Sequence, residues 1–288
     1  MLSVIIASYN SEKTIEGCLS SLKNQRADND FEIIVVDSSS DRTAEIIKQN
    51  YPWVKLYIFP ERKFCGEARN IGISIARGDI IAFIDADCMA DKNWVDEILK
   101  AHQSPYPAIG GAIANGNPES YVSWAAYFCE FSQWMPNKTT TWLADIAGAN
   151  MSYKREVFEK FGHFIEETYC SDTEFHWRLG QNRYQLQFIP SVLVYHHSID
   201  NLWRFLKHEY LHGRSFAQVR VESKNFSKLR RFIYMICFPL IAVKIFLGIG
   251  LINIKNRIYL LHYFKTLPLV TLGLIFWSFG ECVGYMKG

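Results

Sequence analysis

Short apolar runs alternate with segments of helical periodicity through the first 90 residues of the chain. The apolar runs cover Leu2–Ala7, Phe31–Val36 and Ile80–Ile84, with a weaker run at Val54–Phe59. Helical spacing is found in Thr14–Lys23, Thr43–Gln49 and Glu67–Ala76. A continuous apolar run of this length is typical of a strand buried on both faces. The alternation predicts an α/β fold with a doubly wound, mostly parallel sheet and helices on both faces.

The pattern continues less regularly to about residue 200. A further strand is predicted at Ala108–Ile113, and a last strand at Gln187–Tyr195, with Pro190 inside it or at its edge. The aromatic-rich segment Tyr121–Trp134 is expected to be roughly helical, and a helix is expected to begin near Ser171, capped by that residue or its neighbour.

The apolar pattern changes sharply after residue 230. Phe232–Ile252 has Lys244 as its single charged residue, and Leu267–Tyr285 has Glu281. Each run is long enough to cross a hydrocarbon core of about 30 Å. We therefore expect two domains, residues 1–215 and a membrane-associated helical tail over residues 216–288.

Two arrangements of this tail are open. The basic residues before the first apolar run are expected to stay on the cytoplasmic side, but the loop between the runs is also basic. The runs can form a spanning hairpin, or a re-entrant or in-plane pair on the inner leaflet. In both arrangements the first domain faces the cytoplasm.

Composition excludes some classes of function. The formal net charge of +2 is too small to argue for a nucleic-acid partner. Seven cysteines are spread singly with no C-x-x-C, so neither a disulfide framework nor a zinc site is indicated. The chain starts directly in a strand pattern with no basic stretch before it, and we do not expect a cleaved signal peptide.

Two aspartates follow the strand Ile80–Ile84 directly. Asp85 and Asp87 are two residues apart, so in an extended segment both carboxylates point the same way. In open α/β sheets, ligands bind outside the carboxyl ends of the strands. Two hard oxygen donors at that place suit Mg²⁺ or Mn²⁺, although an isolated Asp-x-Asp is also a common helix cap.

Polar residues end two other predicted strands. Ser8 and Asn10 follow the first strand and Asp37 the second. Three polar tips on one sheet edge predict a cleft of nucleotide size. Neither G-x-G-x-x-G nor G-x-x-x-x-G-K-[ST] occurs, so a dinucleotide site and a P-loop are not supported.

Four ordered motifs together carry a family resemblance. They are Val4-Ile-Ile-Ala-Ser-Tyr-Asn10, Glu32-Ile-Ile-Val-Val-Asp-Ser-Ser-Ser-Asp41, Gly66-Glu-Ala-Arg-Asn-Ile-Gly72 and Ile84-Asp-Ala-Asp87. In this order they resemble the inverting family 2 glycosyltransferases with the GT-A fold, over roughly residues 2 to 215.

The resemblance implies roles for these residues. Ser8, Asn10 and Asp37 would contact the nucleoside of a nucleotide-sugar donor, and Arg69 would approach its diphosphate or sugar. Asp85 would bind ribose or sugar hydroxyls. The metal would be held by Asp87. In the small-residue loop at 147–155, Gly148 and Asn150 would lie beside the donor sugar and the acceptor.

Two later residues complete the implied site. The family usually has Glu-Asp where this chain has Ser171 and Asp172. The resemblance makes Asp172 the general base that takes the proton of the acceptor hydroxyl. His196, the first histidine of a pair at the end of the last predicted strand, would be a further metal or phosphate ligand.

We therefore expect a membrane-associated, metal-dependent inverting glycosyltransferase. The sugar would pass from a nucleotide-sugar donor to a membrane-proximal acceptor, such as a glycolipid or polysaccharide precursor. A transferase acting on a polyprenyl phosphate, which needs no base, and a non-catalytic nucleotide-sugar binder are the alternatives. A nucleotidyltransferase is disfavoured because Ala7-Ser8-Tyr9-Asn10 offers no basic Gly-rich phosphate loop. The sequence leaves homo-oligomer formation open.

Overall fold

The computed structural model describes residues 1–26 and 31–287. Within them, nine strands form one sheet. The strands are β1 (Leu2–Ser8), β2 (Phe31–Asp37), β3 (Lys55–Ile58), β4 (Ile80–Ile84), β5 (Cys88–Ala90), β6 (Ala108–Asn115), β7 (Thr141–Leu143), β8 (Asn150–Lys154) and β9 (Leu186–His196).

The hydrogen-bonded order of the sheet is β3-β2-β1-β4-β8-β6-β9-β5, and β7 also pairs with β9. β1 to β4 are mutually parallel, β6 and β9 run in the same direction as these four, and β5, β7 and β8 run against them. The predicted α/β fold with a mostly parallel sheet is confirmed.

Helices separate the strands and continue after the last of them. They are α1 (Ile15–Lys23), α2 (Thr43–Asn50), α3 (Cys65–Ile75), α4 (Trp94–Ala101), α5 (Tyr121–Phe131), α6 (Glu156–Phe161), α7 (Ser171–Gln181), α8 (Leu202–Ser223), α9 (Lys228–Ile236), α10 (Phe238–Asn256) and α11 (Leu260–Lys287). A 3₁₀ turn, Ser132–Trp134, follows α5.

The chain divides into two compact units. The first comprises Met1–Gly116 and Lys138–His197 and contains the sheet; the second comprises Asn117–Asn137 and Ser198–Gly288. α5 and the 3₁₀ turn therefore belong to the second unit with α8 to α11. The division expected at residue 215 stays a prediction.

The register of the parallel strands places their polar tips at one edge. β1 and β2 pair from Leu2↔Phe31 to Ser8↔Asp37, and β4 pairs with the other side of β1. The apolar residues of these strands are almost fully buried, so a shift of register would expose the core to solvent. The burial pattern thus fixes Ser8 beside Asp37 where the two strands end.

Three details differ from the sequence expectations. The loop expected at 147–155 contains β8, which is antiparallel between β4 and β6. α7 is preceded by Cys170, and neither Ser171 nor Asp172 donates or accepts a capping hydrogen bond. Pro190 lies inside β9, where the register with β6 shifts between Gly111 and Ala112. Such a bulge tolerates a proline because the ladder is interrupted there.

The second unit contains the two apolar segments expected from the sequence. α10, and α11 from Leu260 to Met286, are long and apolar enough to cross a membrane, on length and composition alone. Only 11% of the most apolar window of α10 is buried, against 39% of that of α11. The two helices therefore have different surroundings within the unit.

Candidate active site

The first two strand tips interlock through short hydrogen bonds. Asp37 is fully buried, and its Oδ1 accepts a hydrogen bond from the Ser39 hydroxyl at 2.6 Å. Asn10 has a left-handed backbone with φ of 53°, which asparagine tolerates well. Its Oδ1 accepts from the Ser40 backbone N–H at 2.9 Å. The Ser8 hydroxyl is buried and makes no hydrogen bond. The structure thus brings Ser8, Asn10 and Asp37 together.

Asp87 and His196 come together because β5 pairs with β9. Cys88 lies opposite His196 in that pairing, and the His197 N–H donates to the Asp87 carbonyl oxygen at 2.8 Å. Nε2 of His196 lies 3.4 Å from Oδ1 of Asp87. Of the His, Cys, Asp and Glu side chains in the described ranges, Asp87, Cys88 and His196 are the three whose ligand atoms lie within 4.8 Å of one another.

This group fits a divalent cation through oxygen and nitrogen donors. Oδ1 of Asp87 is buried and makes no hydrogen bond, while the side chain as a whole is 42% exposed. Burial raises the pKa of Asp87, His196 lowers it, and Asp85 raises it again. Burial, Asp87 and Asp85 raise the pKa of the Cys88 thiol well above its usual range, so Cys88 remains protonated. Asp87 and His196, with Asp85 nearby, are therefore the residues suited to hold Mg²⁺ or Mn²⁺.

Arg69 connects the aspartate tip to the loop before β8. It lies on α3 and is only 4% exposed. Its Nη2 donates to Oδ1 of Asp85 and to the carbonyl oxygen of Gly148, both at 3.0 Å. Burial lowers the pKa of the guanidinium, but Asp85, with a smaller contribution from Asp172, raises it more, so Arg69 is charged. A buried arginine in this position holds two parts of the site in a fixed arrangement.

Asp172 and Arg69 approach the same face of Gly148. A Cβ placed on Gly148 would be 2.5 Å from Oδ2 of Asp172 and 3.0 Å from Nη2 of Arg69. Only glycine leaves room for the two charged groups to approach the loop backbone so closely. Close approaches therefore join His196 to Asp87, and Asp85 through Arg69 and Gly148 to Asp172. Asp85 and Asp87 are two residues apart in the chain.

A buried network behind Asp172 was missed in the sequence. His176 lies one helical turn after Asp172, and its Nδ1–H donates to the carboxylate of Asp145. The Tyr153 hydroxyl lies 2.5 Å from Nε2 of His176, and the Thr173 hydroxyl donates to Asp145 at 3.3 Å. The spacing of four residues from Asp172 was a usable signal for His176. Nothing local marked Asp145, which precedes Gly148 in the same loop.

Asn150 has a different environment from the other candidates. It is 1% exposed, its amide group donates to the carbonyl oxygens of Ala112 and Val192, and its Oδ1 accepts from the Trp94 indole. Both amide hydrogens and the carbonyl oxygen are thus used inside the sheet. These contacts make Asn150 a cross-link between strands, and its donor-binding role stays a prediction.

Ser171 replaces the usual glutamate at a tightly packed point. It is fully buried, and a Cβ placed on Gly66 of α3 would lie 2.8 Å from the Ser171 Cβ. A glutamate side chain has no space here unless α3 moves away from α7. The departure from the family pattern therefore coincides with close approach of the two helices.

Comparisons with known proteins identify relatives of this chain and structures with a similar fold. Over 297 aligned residues, the chain is 26% identical to the probable glycosyltransferase YdaM of Bacillus subtilis, covering 96% of this chain and 70% of YdaM. The mannosyltransferase PcManGT of Pyrobaculum calidifontis, solved with GDP-Man and Mn²⁺, has a similar structure, with a TM-score of 0.67. Its sequence is 17% identical, and the match covers 97% of this chain and 86% of PcManGT.

A second solved structure has the same fold. S. aureus TarS, solved with UDP-GlcNAc, matches with a TM-score of 0.56 and 17% identity, over 97% of this chain and 90% of the TarS fragment. At such identities the likeness concerns the fold, and it agrees with the predicted GT-A architecture. Residues 3–162, more than half of the chain, match the description Glycosyl transferase family 2. The chain therefore belongs to glycosyl transferase family 2 and is a glycosyltransferase.

Proposed function

We propose that this glycosyltransferase moves a sugar from a nucleotide-sugar donor to a membrane-proximal acceptor by a single inverting displacement. The observation that carries the proposal is the contact of Arg69 with both Asp85 and Gly148, against which Asp172 packs. This arrangement joins a donor-side carboxylate to a carboxylate suited to act as a base.

In this proposal Asp172 is the general base. An inverting transfer needs one carboxylate within hydrogen-bond reach of the acceptor hydroxyl, and it needs no covalent enzyme intermediate. Asp172 lies at the start of α7, and its Oδ2 faces the Gly148 backbone. Arg69 keeps that backbone in place and offers positive charge near the donor.

Donor binding is assigned to the strand tips. Ser8, Asn10 and Asp37 would contact the nucleoside, and Asp85 would bind ribose or sugar hydroxyls. Asp87 and His196 would hold Mg²⁺ or Mn²⁺, which when bound supplies a Lewis acid for the leaving diphosphate. Support comes from the buried Ser8 hydroxyl and Asp87 Oδ1, which both lack a hydrogen-bond partner in the described structure.

Membrane association at the cytoplasmic face is part of the proposal. The support is the length and apolar character of α10 and α11, and the basic residues around them. An acceptor held at the membrane surface, such as a lipid-linked sugar, suits an enzyme that is bound there itself.

The decisive experiment measures turnover of Asp172→Asn beside Glu159→Gln, an exposed carboxylate on α6. A panel of nucleotide sugars with Mn²⁺ first identifies the donor by its stabilisation of the protein. We expect kcat of Asp172→Asn to fall by about 10²- to 10⁴-fold while donor binding persists. The Glu159→Gln control keeps full activity.

Two results would change the proposal. Unchanged turnover of a folded Asp172→Asn protein would remove the base and favour a polyprenyl phosphate, an acceptor that is already ionised. Metal-dependent donor binding that survives in Asp87→Ala would contradict the assignment of the metal site.

A further inference from the structure

α11 packs along α8 with direct contact between the two backbones. A Cβ on Gly280 would lie 2.0 Å from the carbonyl oxygen of Tyr210, and one on Gly213 would lie 2.0 Å from that of Trp277. A Cβ on Gly284 would lie 2.5 Å from the carbonyl oxygen of Arg214. Because the middle of α8 lies against positions 277 to 284 of α11, any position of α11 in a membrane also sets the position of α8.

α8 is poorly suited to a hydrocarbon core. Its 22 residues include Lys and Arg at positions 204, 207, 214 and 220, Glu at 209 and 222, and His at 208 and 212. Charged side chains at the centre of a bilayer are strongly unfavourable. A spanning α11 would bring this polar helix into the bilayer with it.

The C-terminal end of α10 is hydrogen-bonded to residues that are close in sequence to the first unit. The Asn137 side chain donates to the carbonyl oxygen of Asn256 at 2.6 Å, and that of Asn253 donates to the Ser132 hydroxyl at 3.0 Å. Asn137 is followed directly by Lys138, which belongs to the first unit. Consecutive Cα atoms are about 3.8 Å apart, far less than the hydrocarbon thickness of about 30 Å. A spanning hairpin would require breaking these bonds.

Many apolar side chains of α9, α10 and the start of α11 are exposed. α9 buries none of its nine residues, and α10 buries only Ile249 and Asn253. Residues that are at least 57% exposed include Leu229, Ile236, Leu240, Leu247, Leu251 and Leu261. So many large exposed apolar side chains on successive helices mark an interaction site.

The charge around this surface selects its partner. From position 224 to position 288 the sequence has nine Lys or Arg residues and one acidic residue, Glu281. Glu281 is buried and lies 3.5 Å from Arg220, so it does not offset the positive surface. A second copy of this surface would be repelled by the same charge. Anionic lipid headgroups would be attracted by these basic residues.

We propose that α9, α10 and α11 lie in the plane of an anionic phospholipid surface and do not cross the bilayer. The exposed leucines enter the interface, and the polar α8 stays outside the hydrocarbon core. This inference rests on the membrane association in the proposed function, and it is independent of the transfer chemistry.

The first test determines the side on which position 255 lies. Lys255 is exposed at the C-terminal end of α10, and Lys255→Cys adds a thiol there to the full chain. The native, exposed Cys65 reports the side of the transferase unit. Membranes of both orientations are treated with an impermeant maleimide, and labelled peptides are identified by mass spectrometry. We expect both positions to be labelled in the same orientation. Labelling of position 255 only in the orientation that protects Cys65 would overturn the proposal.

The second test measures partitioning of the full chain onto vesicles by flotation. We expect at least about ten-fold more binding to vesicles containing phosphatidylglycerol than to pure phosphatidylcholine. The double variant Leu247→Glu, Leu251→Glu should lose about 100-fold in partitioning, and Trp53→Glu, an exposed site in the first unit, should not.

Absent binding to anionic vesicles would overturn the proposal, as would self-association through this surface in the native chain. Neither test uses turnover. Failure of the transferase proposal can therefore be distinguished from failure of the in-plane proposal.

Discussion

At the scale of single residues, Gly148 is where the site has least tolerance. Asp172 and Arg69 both lie where its Cβ would be, so even a methyl group has no room. The nearest atom is the end of a short side chain, and we expect Asp172 to move while the fold persists. A displacement of about 1 Å at a reacting group can cost about 10²-fold in rate.

We predict that Gly148→Ala lowers kcat by about 10- to 100-fold and changes the KM of the donor less. The matched control is Gly180→Ala on α7, where an added Cβ meets no atom within 4 Å. Steady-state kinetics of both variants test this. Equal kcat values for the two would show that the Gly148 contact does not position Asp172.

His102 makes stability depend on pH. It is 6% exposed, and Nε2 lies 2.9 Å from the Ser152 hydroxyl. Burial and, to a smaller extent, Lys154 lower the pKa of His102 from 6.5 to about 3. The folded state therefore resists protonation that the unfolded state accepts. The stabilisation is complete above about pH 6.5 and is lost as the pH falls towards 3, by about 1.4 kcal/mol per unit at most.

We predict that the apparent Tm of the native chain falls more steeply between about pH 7 and pH 5 than that of His102→Gln. The exposed residue His163 provides the control, since His163→Gln should keep the native slope. Thermal melts across this pH range test it. Parallel slopes for native protein and His102→Gln would contradict the assignment.

At the scale of elements, the α8–α11 contact reverses the usual effect of a helical glycine. Replacing glycine by alanine within a helix normally stabilises it by roughly 0.5–1 kcal/mol. At Gly280 the added methyl would lie 2.0 Å from the carbonyl oxygen of Tyr210, whereas at Gly248 on α10 it meets no atom within 4 Å. The same substitution should therefore act with opposite sign at the two positions.

We predict that Gly280→Ala lowers the stability of the full chain by about 1–3 kcal/mol, while Gly248→Ala is neutral or stabilising. Denaturation in a mild detergent, with helix content as the signal, compares them. Should both variants be equally stable, the two helices do not pack as closely as described.

At the scale of the whole molecule, the long apolar strands were the most predictable feature. β1, β2 and β4 are continuous apolar runs that are followed by or end in polar residues. This pattern predicted parallel strands with their polar ends at one edge of the sheet. β8 was missed because it includes Asn150, Ser152 and Lys154, whose polar groups are bonded to α4 and to the turn that follows it. Such compensation depends on residues far away in the chain, and no local pattern reports it.

The candidate site also has residues that the sequence predicts and residues that it does not. Asp85, Asp87 and Asp172 stand out in the sequence because they end a strand or begin a helix. The residues that hold these aspartates in place have no such signal in the sequence. Arg69 was expected to approach a ligand, but its buried contacts join Asp85 to Gly148. The pairing of Asp145 with His176 is a tertiary contact over 31 positions.

The insertion of α5 between β6 and β7 has a practical consequence for expression. A chain cut after residue 215 would keep Tyr127 and Phe128, which are fully buried, and lose Tyr259 and Tyr263, whose rings pack on them. In such a shortened enzyme the aromatic side chains of α5 would be exposed to solvent, and the protein would be prone to aggregate. A soluble fragment suited to crystallisation would need residues 117–137 replaced by a short polar linker in the same design.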